Sequence, residues 1–478
     1  VRPDGTTLAH GIGGAQDLPI SPELAIAGAV AALTVSFTVL AVAWRTPRFD
    51  EATSGRPAPA WIDTLVGAPA FRVALRALGM VLFLYTAMAA VLGPDRVNNP
   101  FFGIFYVWWW VGLVPFSLLF GPVWKAISPV RTINLLFAKI SGGDPDEGVF
   151  RYPERLGHWP AALGLFAFVW LELVYPYSTE LGPVRLWCAV YVAVMLLGGA
   201  LFGNTFYERA DPFEVYSDLV ARLSVWGTRD GRVVVRSPLA NLDTVVPRPG
   251  MVAVTAVLFG STAFDSFRDS TTWLRFLQDH DIINANAAVS AETAVSLANN
   301  LALIVFCAGI GLIFALATMA TGVHATDPRP LTGGRLTRAL QWMRWRPRAW
   351  VAARTPLPNQ FAHSIVPIIV GYIVAHYLTY FVEIGQLTLV NASDPFGDGS
   401  NYLGTGDLQV NYWLSEHPTL LANTKVAAVV IGHVLGVIAA HDRAIKVLPA
   451  RHQLTGQLPL LFAMVGFTAG GLFLLFAA

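Results

Sequence analysis

The chain has 478 residues, of which 54% are apolar and only 13% charged, with a formal net charge of +1. A soluble domain carries roughly a quarter charged residues, so this composition excludes a soluble enzyme, a nucleic-acid binder and a disordered chain together. The mean hydropathy of +0.53 comes from recurrent apolar runs of about 20 residues, the length that crosses a bilayer core as a helix.

In chain order these runs occupy 22–44, 77–93, 101–121, 160–177, 184–203, 250–266, 297–321, 361–384, 420–441 and 458–477. The expected fold is all-α, a polytopic transmembrane bundle of ten spans, or nine if the sixth does not cross, because that run is short and ends in Asp265. Connectors 45–76, 122–159, 204–249, 323–360 and 442–457 hold 26 of the 32 Lys and Arg residues. The positive-inside rule makes them cytoplasmic. Both termini are then extracytoplasmic, which requires an even number of spans and favours ten. The implied address is the inner membrane of a bacterium, with membrane lipid as the first partner. The opposite connectors are acidic: Asp265, Asp269, Asp279, Asp281 and Glu292 fall in one, and Glu383, Asp394, Asp398, Asp407 and Glu416 in or beside another. They read as a solvated face or as a surface that attracts cations. The start at Val1 fits a removed signal peptide, a non-ATG start or a trimmed chain.

Spans three and five end alike. Leu119-Phe120-Gly121 precedes Ser128-Pro129, and Leu201-Phe202-Gly203 precedes Asp211-Pro212. Ser or Asp before Pro is an N-cap with proline in the first turn, so each pair starts a short cytoplasmic helix. The helices carry matching apolar stripes, Ile133, Leu136, Phe137 and Ile140 against Tyr216, Leu219, Val220 and Leu223. Such stripes lie on the membrane surface or against the bundle. After each helix the chain re-enters at Pro160 and at Pro249-Gly250, and each returning span bears an acid, Glu172 and Asp265. Segments 101–177 and 184–266 therefore read as a duplicated helical hairpin in parallel orientation. The remaining divisions are a tail (1–21), a first hairpin (22–100), an outer amphipathic segment (267–296) and a histidine-bearing four-helix half (297–478). Arg229-Asp230-Gly231-Arg232 before three valines predicts a small β-turn and strand.

Ionisable groups inside a membrane are expensive and mark function. Span eight carries His363, Tyr372, His376, Tyr380 and Glu383; the last four share one helical face by their spacing of four, four and three. Span nine carries Lys425, His433 and His441, with Gly432 and Gly436 permitting close helix contact. If His363 and His441 share the cytoplasmic rim, His376 and His433 are offset by roughly 8 Å in depth. The primary expectation is a transporter or conduit for protons, metal ions or a small solute. Its polar site would lie between spans eight and nine and use Tyr372, His376, Tyr380, Glu383 and His433, with Glu172 and Asp265 as partners. A redox or metalloenzyme subunit is the alternative, with His363, His376, His433 and His441 as ligands of haem, copper or zinc. The separation of 13 in span eight suits paired haem ligands, whereas that of eight in span nine does not. A further alternative is a scaffold subunit with membrane-complex partners or as a homo-oligomer, in which these groups hold helices together. Cys188 and Cys307 lie in apolar runs and form no metal motif. His10, His280 and His417, in the outer tail and loops, are candidates for an outer metal site only if they converge. His158, His324 and His452 fall in cytoplasmic loops, and no nucleophile elbow, Walker loop or HExxH is present. The basic, Trp-bearing run from Arg335 to Arg354 suits anionic lipid rather than nucleic acid.

The tail His10-Gly-Ile-Gly-Gly-Ala-Gln-Asp17, the stretch Glu208-Arg-Ala-Asp211-Pro-Phe, Phe361-Ala-His363-Ser with Val374-Ala-His376-Tyr, and Ile431-Gly-His433 through Asp442-Arg443 resemble a family of polytopic actinobacterial membrane proteins labelled fenitrothion hydrolase-like. The resemblance implies a bacterial inner-membrane address, and histidines 363, 376, 433 and 441 as family features. Its label implies organophosphate hydrolysis, which ordinarily wants a metal centre or an activated nucleophile.

Overall fold

The computed structural model describes residues 14–280, 291–321 and 351–477. Its helices are α1 (Pro22–Ala43), α2 (Ala60–Gly67), α3 (Pro69–Leu92), α4 (Pro100–Val111), α5 (Leu113–Phe120), α6 (Val123–Ile127), α7 (Pro129–Ser141), α8 (Trp159–Leu173) and α9 (Leu181–Phe202). They continue as α10 (Asn204–Ala210), α11 (Pro212–Ala221), α12 (Pro238–Leu242), α13 (Met251–Arg268), α14 (Thr271–Asp279) and α15 (Ala291–Met319). The last four are α16 (Val351–Asn391), α17 (Trp413–Glu416), α18 (Pro418–Val447) and α19 (Leu458–Ala477). All ten apolar runs are helical. Among the described residues, seven helices are long and apolar enough to cross a membrane, and an eighth counts if α4 and α5, bent by 43°, form one span. The chain is a multi-pass membrane protein. The other two runs form the shorter helices α8 and α13 of 15 and 18 residues.

Four of the five basic connectors meet on one face. Short strands β1 (Arg56–Pro57), β3 (Arg232–Val235) and β2 (Trp226–Arg229) pair antiparallel in that order and join connector 45–76 to connector 204–249. Asp230 and Gly231 both have positive φ, the two-residue turn that a tight hairpin requires. Arg209 bonds Glu154 at 2.8 Å, and the Asp243 carboxylate pairs with Arg443 at 3.2 Å and accepts from Lys446 at 2.6 Å. Residues 323–350 of the fifth connector lie outside the described residues, as do His10 and His324.

The Leu-Phe-Gly endings of α5 and α9 turn alike. Gly121 (φ 86°, ψ −154°) and Gly203 (φ 64°, ψ −162°) adopt a conformation that a side chain resists. Ser128 Oγ then accepts from the Arg131 amide at 3.4 Å, and Asp211 Oδ1 from the Phe213 amide at 3.0 Å. The two stripes part company after that. Leu136, Phe137 and Ile140 of α7 are 50%, 59% and 84% exposed, whereas Tyr216, Leu219 and Val220 of α11 are buried in the main core. Helix α7 thus carries an exposed apolar face, and α11 is a core helix. Packing of α16 against α18 is close: a methyl on Gly432 would meet the Pro367 carbonyl oxygen at 2.5 Å and Gly371 Cα at 3.4 Å.

Candidate functional site

The buried polar group of the bundle gathers on α13, α8 and α16, at the end away from the basic face. Asp265 is 2% exposed. Its Oδ2 lies 2.8 Å from His376 Nε2 and accepts from the Tyr377 hydroxyl at 2.7 Å. Its Oδ1 pairs with Arg268 Nε at 3.2 Å, one helical turn along α13. Arg268 also reaches Asp269 at 3.5 Å and donates to the Leu173 carbonyl at the C-terminus of α8, where a cation is favoured. Glu172, one residue earlier on α8, has its Oε2 buried with no hydrogen-bond partner. It lies within electrostatic range of Asp265 and Arg268, and of the hydroxyls of Tyr106, Tyr216, Tyr377 and Tyr380.

Ser266 makes this site chemically versatile. Its Oγ is 3.2 Å from His376 Nδ1 and 3.3 Å from the Thr262 carbonyl. When the hydroxyl turns to Nδ1, it satisfies a neutral imidazole that donates through Nε2 to Asp265. When it turns to Thr262, its oxygen accepts from a protonated Nδ1. Both ring nitrogens of His376 therefore keep a partner whichever way the Ser266 hydroxyl points.

The sequence-level candidates do not form one constellation. His376 faces Asp265 of α13 rather than His433 of α18. Tyr372 donates to the Phe467 carbonyl of α19 at 3.1 Å and meets the His433 ring edge-on at 5.7 Å. Tyr380 lies 6.3 Å from the Tyr377 ring. Glu383, only 2% exposed, accepts from the Ser415 amide at 3.2 Å, beyond the site. The reason is a π turn over Tyr380–Ile384: its wider winding breaks the 100° register that would keep Glu383 under Tyr380. His433 bonds the Val429 carbonyl of its own helix through Nδ1 at 2.9 Å, and its Nε2 is buried without a partner. Counting rises from the Gly371–Gly432 contact, His376 and His433 are about 9 Å apart in depth.

The histidines named as metal ligands are dispersed in the same way. His363 bonds the Gln360 carbonyl at 3.0 Å. His441 uses both nitrogens, on Gln457 Oε1 at 3.0 Å and on the Trp44 carbonyl at 3.1 Å. Among the described residues, no three His, Cys, Asp or Glu side chains are placed to hold a metal ion. Sequence reasoning passed over Ser266, Arg268 and Tyr377. The i, i+3 spacing of Asp265 and Arg268 was the available signal for one of them; nothing local pointed to the others. No family model, curated protein or solved structure matches this chain.

Proposed function

We propose that the chain is a bacterial inner-membrane protein of ten spans, with both termini outside, that moves protons through the Glu172–Asp265–His376 site, alone or coupled to a small solute. The observation that carries this reading is the Ser266–His376–Asp265 chain, which accommodates both protonation states of the imidazole beside an acid, Glu172, whose Oε2 meets no donor. A purely structural cross-link would be satisfied in one state and would not leave a second carboxyl idle next to it. The ten-span reading draws on the grouping of the basic connectors and on the helical state of every apolar run. In it, α8 and α13 cross as short central helices.

The test is reconstitution of the full chain into liposomes with an internal pH-sensitive dye and an imposed pH gradient. Collapse of the gradient should be faster than in protein-free vesicles, and Asp265→Asn and His376→Leu should each abolish the difference. Wild-type vesicles no leakier than protein-free ones, with and without a membrane potential, overturn the proton path.

A further inference from the structure

The contacts at the basic face are reciprocal. Counting from Pro129 and Pro212, equivalent residues of the two helical units differ by 83 in number. Lys125 and Glu208 are such a pair, and Lys125 Nζ lies 2.7 Å from Glu208 Oε1. Arg131 and Glu214 are another, joined by two hydrogen bonds of 2.5 and 2.6 Å. Trp124 packs on Phe213 with ring centroids 5.3 Å apart and planes tilted by 48°, while its equivalent, Tyr207, donates to the carbonyl of Val130, the equivalent of Phe213, at 3.4 Å. At the level of helices, α11 packs on α5 and α7 on α9. When residue i of one unit meets j of the other and j meets i, the units are related by a two-fold, and a residue that meets its own equivalent lies on the axis. Identical charges would repel there. In a fused duplication the two copies are free to diverge, and at both axial positions one is cationic and the other anionic.

The axis opens on a cleft of about 220 Å³ lined by Lys125, Glu208, Glu214, Asp218, Arg222 and Arg248, among others. Its floor is α11. Glu214, Asp218 and Leu219 face the cleft, while Tyr216, on the other side, packs on Trp110 at 4.9 Å, and Trp110 on Phe168 at 4.7 Å. Phe168 is one turn below Glu172 on α8. The acids Glu172 and Asp265 belong to the equivalent returning helices α8 and α13, which pack on each other. The same two-fold thus has paired charges at its basic end and paired acids at the other, with one helix thickness and an aromatic plug between the cleft and the acids.

We infer that the cleft is the inner mouth of the proton path, that the path follows the pseudo-two-fold axis between the two units, and that Lys125–Glu208 and Arg131–Glu214 are its inner gate. This rests on the function proposed above. Opening requires the units to part at the axis, which separates both ion pairs together and lifts α11 from Trp110.

The test uses the full chain carrying Lys125→Cys and Glu208→Cys, reconstituted and bridged by a short, reducible bifunctional thiosulfonate. Both positions are about half exposed, and losing one exposed ion pair leaves folding nearly untouched. The half-buried Cys188 and the buried Cys307 are replaced by Ala, and each sample serves as its own unbridged control. Bridging should bring gradient collapse to the level of protein-free vesicles, and reduction should restore the unbridged rate. An unchanged rate after complete bridging, in protein whose flux still depends on Asp265, overturns the gate and leaves the proton path standing. Absence of flux in the wild type removes the path and the gate together. As an independent variant, either single reversal, Arg131→Glu or Glu214→Arg, puts like charges across the gate and should speed gradient collapse, and the two together should return it to the wild-type rate; single reversals that leave the rate unchanged in correctly folded protein also count against the gate.

Discussion

Glu172→Gln is the substitution that separates a proton carrier from a structural group. The buried Oε2 of Glu172 meets no donor, so replacing the acid by its near-isosteric amide removes no hydrogen bond at that atom and creates no cavity. With each lost hydrogen bond worth about 1 kcal/mol, the expected change in stability is below about 1 kcal/mol. Asp265→Asn differs sharply. Asp265 accepts from Tyr377, pairs with His376 and balances Arg268. Two charge-assisted bonds of roughly 1.5–3 kcal/mol each are weakened and a cation loses its nearer partner, so a loss of about 3 kcal/mol or more is expected. In function the two variants converge, because neither amide can carry a proton. Thermal unfolding in detergent and dye-reported gradient collapse in liposomes, run on the same preparations, give both quantities. Glu172→Gln that unfolds like wild type and conducts at background fits the argument. Glu172→Gln that conducts within about twofold of wild type refutes the assignment of Glu172 as a carrier.

Three further outcomes follow from the geometry. His158, 7% exposed at the N-terminus of α8, is held down from 6.5 to about 4, chiefly by burial, against a hydrogen bond to the Arg209 carbonyl and with help from the charge of Arg248. The unfolded chain then binds the extra proton between about pH 6.5 and 4, so stability falls by up to roughly 3 kcal/mol as pH drops through that window. His158→Asn should flatten that part of the pH–stability curve. Asp442, 1% exposed, accepts from Trp44 Nε1 at 3.1 Å and from the Arg48 amide at 2.7 Å, and pairs with Lys446. Asp442→Ala should cost about 3 kcal/mol in thermal unfolding, and a loss below 1 kcal/mol would show that α1 is not anchored there. Gly432→Ala drives a methyl onto the Pro367 carbonyl and should cost about 2 kcal/mol, whereas Gly466→Ala, with open space around it, should be neutral or stabilising by up to about 1 kcal/mol.

Much of the architecture was legible because it rests on short-range signals. Run length and hydropathy mark the helices, Ser128-Pro129 and Asp211-Pro212 mark two helix starts, and Asp230-Gly231 marks the hairpin. Gly432 and Gly436 were legible as a contact stripe for the same reason: close approach of two backbones needs missing side chains on one face. The site was only partly legible. Glu172, Asp265 and His376 stood out as charges in apolar runs, yet a sequence does not state which helix a face meets. Spans eight and nine carry the most histidines and do pack closely, but through glycines, and the polar face of span eight turns instead to the acid of span six. The π turn at Tyr380–Ile384 leaves no trace in composition, so Glu383 was grouped with residues from which the backbone rotates it away. Strand β1 is two residues containing a proline, below what any pattern can mark.

The distribution of burial explains why the site lies where it does. Helices α1, α3, α9 and α15 bury only 22–28% of their apolar windows inside the molecule, while the window of α16 is 61% buried and nearly all of α13 is enclosed. The outer helices thus form a shell whose exposed side chains meet lipid, and the short α8 and α13 stand inside it with α16. A carboxylate facing hydrocarbon would be prohibitively expensive. Behind that shell, an acid can be surrounded by tyrosine hydroxyls, an imidazole and a guanidinium at the end of its own helix, and two acids can approach each other. Helices that need not present a full-length apolar surface to lipid are free to be short and to carry charge. Short length thus marks α8 and α13, deep burial marks α13 and α16, and these three helices carry Glu172, Asp265 and His376.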